Sequence, residues 1–161
     1  MCLLCSYGGR NIHNSQGLAY IGSNSLGNIL SETSDAPNST STRYFISAGD
    51  SFSGSLGYPG DRDAVAIRLN AGSVYEFNLT GSRSGDGTLS DPYLRLYDSN
   101  ETLLKFDDDD GPGLESRISF TASNTGKYYL SAGSYNDRYS GSYLLSTTEL
   151  RVYGDFAPNT N

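Results

Sequence analysis

Tryptophan is missing from the 161 residues, histidine and methionine occur once each, and the only two cysteines, Cys2 and Cys5, sit together at the amino terminus. A chain with no cysteine beyond position 5 does not hold its core together with disulfides. A single C-x-x-C pair supplies two of the four ligands of a structural zinc site, and His13 has no second histidine to complete one, so the pair is read as lying outside the fold. No stretch approaches the roughly 18 consecutive apolar residues of a membrane helix, and the formal charge of −7 opposes binding to a phosphate backbone. Neither a membrane span nor a nucleic-acid partner is expected. After Cys5 the chain turns polar at once, with Gly8, Gly9, Arg10 and Asn11, so no classical signal peptide develops. There is also no H-E-x-x-H, no G-x-S-x-G and no phosphate-cradling glycine loop. The chain is read as non-catalytic, not an enzyme.

What is abundant is turn chemistry. Ser, Gly, Asp and Asn together supply 69 residues, which disfavours long helices. Residues 1–34 keep neither a helical nor a strand period and read as a weakly structured leader or linker. From Arg43 onward, short alternating runs recur every 8–12 residues or so between turns. Val65, Ile67 and Leu69 alternate with Ala64, Ala66 and Arg68, and Tyr75, Phe77 and Leu79 alternate with Glu76 and Asn78. Further runs cover 44–47, 52–56, 93–98, 102–106, 117–121, 127–132 and 142–147. One buried face per strand and short turns predict an all-β fold, an antiparallel jelly-roll-like β-sandwich of about 8–9 strands over residues 35–154. Its inner faces would add Leu94, Leu96, Ile118, Phe120, Tyr128, Leu130, Tyr143 and Leu145. The segment Asp35-Ala36-Pro37-Asn38-Ser39 is echoed by Asp155-Phe156-Ala157-Pro158-Asn159-Thr160. Residues 155–161 therefore read as a linker or the start of a second module.

The acidic excess is concentrated in short Asp side chains. Asp107, Asp108, Asp109 and Asp110 precede Gly111 between two strands; four adjacent carboxylates repel one another, and a divalent cation relieves that repulsion. The spacing is not that of an EF-hand. Asp61 and Asp63, two residues apart after Gly60, point the same way if extended, and Asp35 with Asn38 is a candidate to close a shell around them. Asp91 begins the strand whose hairpin partner ends at Asp107, so pairing would bring these two together. Bland readings stand beside each: a solvated acidic turn for 107–110, and an Asp turn bonding its own backbone for 61–63. The 13 tyrosines are mostly explained by strand propensity. Tyr93, Tyr97 and Tyr129 fall on the phase opposite the core, and Tyr135 and Tyr139, in the 133–141 loop, are candidates for a ligand-stacking surface.

Residues 35–148 resemble the bacterial pre-peptidase C-terminal domain, related to collagenase collagen-binding domains. The likeness rests on features in order: Asp35-Ala36-Pro37-Asn38; Gly60-Asp61-Arg62-Asp63; Leu69 to Tyr75; Thr88 to Asp98; Asp107 to Gly111 with Ser116-Arg117-Ile118; Thr125 to Leu130; and Gly141-Ser142-Tyr143. It implies a jelly-roll sandwich, secretion, and an accessory role beside a catalytic domain, commonly a peptidase. It also implies Ca2+ near the module entrance, on Asp35, Asn38, Asp61 and Asp63, with Glu32 as an outer ligand. The sequence departs from the family pattern at Ala64, where an aromatic is usual. The opening Met1-Cys2-Leu3-Leu4-Cys5 resembles serralysin-like proteins exported by type I secretion. The expected function is thus a calcium-binding, non-catalytic accessory module of a secreted multidomain bacterial protein. The alternative is an adhesion module that takes polysaccharide or extracellular matrix protein on its tyrosines without metal.

Overall fold

Ten strands and one short 3-10 turn make up residues 27–150, the part of the chain that the computed structural model describes. They are β1 (Ile29–Ser31), β2 (Phe45–Ile46), β3 (Ser51–Leu56), β4 (Asp63–Leu69), β5 (Val74–Thr80), β6 (Pro92–Tyr97), β7 (Leu103–Asp107), β8 (Ser116–Thr121), β9 (Gly126–Ser134) and β10 (Gly141–Leu150). Two five-stranded sheets result, one in the order β1-β3-β10-β5-β8 and the other β2-β4-β9-β6-β7. Cys2, Cys5, His13 and the Asp155 repeat lie outside the described residues.

The all-β sandwich expected from the alternation is present, with ten strands in place of eight or nine. The sheets are mixed where antiparallel pairing alone was expected: β1 runs parallel to β3 and β2 parallel to β4, while the other pairs are antiparallel. The reason is connectivity. The first four strands step alternately between the sheets, and a strand that returns to its own sheet after crossing over and back arrives in the same direction. The additional strand, β1, falls inside the segment read as leader; its three residues are exposed and carry no alternation to betray them.

Packing follows the period of two. Phe52 and Leu56 from β3, Val65, Ile67 and Leu69 from β4, Tyr75, Phe77 and Leu79 from β5, and Tyr143 and Leu145 from β10 meet Leu94, Leu96, Ile118, Tyr128 and Leu130 in one core. Each such side chain contributes about 1.5–3 kcal/mol by leaving water. Phe120 packs against this core half-buried. Asp63 stands on the same phase as Val65, Ile67 and Leu69, so the strand that builds the core also drives a carboxylate into the space between the sheets. Among the described residues no helix is long and apolar enough to cross a membrane.

Candidate metal centre

Asp63 is fully buried. Its Oδ2 accepts a hydrogen bond from the Tyr143 hydroxyl at 2.7 Å, while its Oδ1 is buried with no hydrogen-bonding partner among the described residues. The Tyr143 ring reaches this position because its cross-strand neighbour is Gly54, where a Cβ would stand 2.4 Å from the hydroxyl oxygen. Glu32 and Asp35 each bring one carboxylate oxygen into a group with Asp63 in which all three lie within 4.8 Å of one another. Burial, opposed by the Tyr143 hydrogen bond and reinforced by Glu32, Asp61 and Asp35, pushes the Asp63 carboxyl up to about 7.

The loop that carries Asp35 is tied down at several points. The Tyr44 hydroxyl accepts the backbone N–H of Thr33 at 2.9 Å and of Ser34 at 3.0 Å. Glu32 accepts from the backbone N–H of Ala36 on Oε1 and of Ser55 on Oε2, at 2.8 and 2.9 Å. Each of these oxygens keeps a second lone pair, so the carboxylate is oriented by the fold and still able to ligate. Asp61 is buried beside the group, but its Oδ2 accepts from Gly57 N at 2.6 Å and its Oδ1 from Arg62 N at 2.9 Å, which is the bland turn reading. The turn depends on Gly60, whose φ of +96° suits glycine. Asn38 Oδ1 accepts from Ser131 Oγ at 3.0 Å.

A second group forms from Asp91, Asp108 and Asp109, again with one oxygen each within 4.8 Å. Burial, with the charges of Asp109, Asp91 and Asp107 added and that of Arg95 opposed, pushes the Asp108 carboxyl up to about 6. Its Oδ1 is buried and unpaired. Asp91 does not meet Asp107 as expected, because the register sets Leu94 opposite Asp107 and carries the following residues past the strand end. Asp107 instead caps the turn, its Oδ2 accepting from Asp110 N at 3.1 Å and Arg117 N at 2.7 Å. Asp110 is exposed and belongs to neither group. Tyr135 and Tyr139 are exposed on the β9–β10 connection. There Arg62 holds Asp137 through two hydrogen bonds, Nε to Oδ1 at 2.9 Å and Nη2 to Oδ2 at 2.5 Å. Sequence reasoning placed Tyr143 in the core but missed it as the partner of Asp63. It also missed the buried Glu115, which accepts from Gly81 N at 2.7 Å and Ser84 N at 3.0 Å and organises a loop.

A two-sheet sandwich with a buried, carboxylate-rich entrance is the class these features define. Residues 61–134 match the family model described as the bacterial pre-peptidase C-terminal domain, which upholds the resemblance read from the sequence. Among solved structures the chain is similar to the pre-peptidase C-terminal domain of collagenase from Bacillus anthracis, with 21% identity over 65% of this chain and 93% of that one, at a TM-score of 0.50. It is also similar to PliG of Aeromonas hydrophila, a periplasmic inhibitor of g-type lysozyme, with 12% identity over 65% of this chain and 98% of that one, at 0.44. No curated protein matches the chain.

Proposed function

We propose that the chain is a calcium-stabilised, non-catalytic accessory module of a secreted multidomain bacterial protein whose adjacent catalytic domain is a peptidase. The observation that carries the calcium reading is the unpartnered, fully buried Oδ1 of Asp63 within a group of carboxylates. A buried anion without a counter-charge is costly, and three carboxylates are the hard oxygen donors that Ca2+ takes. Glu32, Asp35 and Asp63 would hold the ion, which would join the strand-entry loops to β4 and stabilise the sandwich. Melting the protein in excess calcium and in chelator tests this. A rise in Tm with calcium that Asp63→Asn abolishes is expected, and equal midpoints would overturn it. The exposure of Tyr135 and Tyr139 favours a second reading, docking of an extracellular protein or polysaccharide. Retention on immobilised matrix protein that Tyr135→Ala and Tyr139→Ala remove would support it.

A further inference from the structure

A cleft of about 270 Å³ opens on the outer face of the β2-β4-β9-β6-β7 sheet, lined by Asn38, Ser39, Thr40, Ala64, Tyr97, Glu101, Tyr129 and Ser131. Its floor comes from neighbouring strands: Ala64 is paired with Ser131, and Tyr129 with Tyr97. Two irregularities frame it. At Tyr97 the register with β7 shifts, leaving Leu104 as the extra residue of a bulge, a device that re-aims the side chains beside it. Glu101 adopts φ +63°, in the left-handed region that glutamate seldom visits, and is kept there by a turn in which Asp98 Oδ1 accepts from Asn100 N at 2.8 Å and Thr102 N at 2.9 Å. Glu101 Oε1 then accepts from Thr40 Oγ1 at 3.0 Å, which joins the two rims.

The lining selects among ligand chemistries by elimination. No basic residue lines the cleft, and Glu101 repels anions. One carboxylate is too few for a metal. The amide and hydroxyls of Asn38, Ser39, Thr40 and Ser131 are wasted on a purely apolar ligand. A ligand with many neutral hydroxyls and one apolar face uses all of them: hydroxyls to Asn38, Glu101 and Thr40, and C–H groups against a tyrosine ring. Asn38 Nδ2 and the hydroxyls of Tyr97 and Tyr129 make no side-chain hydrogen bond among the described residues, so donors remain to be used.

We propose that this cleft binds a sugar ring of a neutral glycan, at a place separate from Tyr135 and Tyr139 and using none of the carboxylates of the metal centre. The test is an amide-resolved NMR titration of the full chain in calcium with soluble gluco-, xylo- and N-acetylglucosamine oligosaccharides, and with a proline-rich collagen-like peptide and lysine as competing classes. Saturable shifts at residues 38–40, 64, 97–101 and 129–131 with one oligosaccharide series are expected. Tyr97→Ala and Asn38→Ala should weaken binding about tenfold, with amide spectra otherwise intact, and Tyr58→Ala, exposed and outside the cleft, should leave it unchanged. The proposal is overturned by any of three outcomes: no sugar shifting these residues, an affinity that Tyr97→Ala leaves unchanged, or the peptide or lysine occupying the cleft where sugars do not.

Discussion

The carboxylate groups built around Asp63 and around Asp108 lie at the same end of one sheet, on either side of β9: Asp63 faces Ala132 across one ladder, and Pro92, next to Asp91, faces Ser134 across the other. They share a composition of three acids and differ in dielectric and in counter-charge. Asp63 is fully buried, and the charges that act most strongly on it, those of Glu32, Asp61 and Asp35, are negative. Asp108 is only partly buried and has the Arg95 guanidinium acting on it. Arg95 lies over the Tyr93 ring at 4.1 Å and is itself half-buried, so this cation is built into the sheet. Three clustered acids therefore do not define a metal requirement. The calcium proposal therefore rests on Asp63, where water is excluded and the strongest acting charges are negative.

The largest separation between the two groups is expected from Asp63→Asn. At free calcium about 100 times its dissociation constant, a single site adds about 2.7 kcal/mol, or roughly 10 °C in Tm for a domain of this size. Asp63→Asn should remove all of it. The pH dependence carries the same signature. The folded-state pKa of Asp63 is raised from 3.8 to about 7. Between those values the folded state of the metal-free protein thus holds a proton that the unfolded state has lost. Metal-free stability accordingly falls as pH rises from 4 to 7, by up to about 4 kcal/mol, and levels off above that. With calcium the fall shrinks and ends at lower pH, because the ion binds only the deprotonated group and so offsets most of the loss. Melts at pH 5 and pH 8, with and without calcium, should show a calcium effect that is small at pH 5 and full at pH 8, and an equal effect at both would contradict the assignment.

Tyr143→Phe comes next. It keeps the ring that Gly54 accommodates and removes the one hydrogen bond to Asp63 Oδ2 found among the described residues. Leaving that oxygen unsatisfied should cost the metal-free protein about 1–3 kcal/mol above pH 7. The cost should shrink in calcium, where the carboxylate gains a compensating charge. Urea titration of both forms measures it; equal losses would mean that the hydroxyl acts only in packing.

What the sequence discloses about these groups depends on how local the determinant is. The alternation over 63–69 and 75–79 sets faces by a period of two, so the core could be read residue by residue, and the inward phase of Asp63 with it. Asp35 was a candidate partner of Asp63 from its residue type and from the order of family features, but no periodicity could pair them, since 28 residues separate them. Glu32 was harder still, because β1 has neither length nor alternation, and its place comes from parallel pairing with β3. The tetra-aspartate run misled in the opposite way: adjacency in sequence suggests one site, but successive residues of a hairpin turn point apart. Two of the four join Asp91, one caps the turn, and one faces solvent.

Asp108→Asn is the smallest effect and the sharpest test of the contrast. It removes one of three mutually repelling charges and spares the backbone contacts that shape the turn, since Ser116 Oγ donates to the carbonyls of Asp107 and Asp108 at 2.9 and 3.1 Å. The folded-state pKa of Asp108 is also raised, so its charged form weakens the metal-free protein as pH rises toward about 6. Partial exposure screens that penalty and Arg95 offsets it. The variant should therefore be slightly more stable than wild type at pH 7, by less than about 1 kcal/mol, and should keep the full calcium-induced rise in Tm. If Asp108→Asn instead abolished that rise while Asp63→Asn preserved it, the ion would belong to the partly exposed group, and a guanidinium beside three carboxylates would not be enough to replace it.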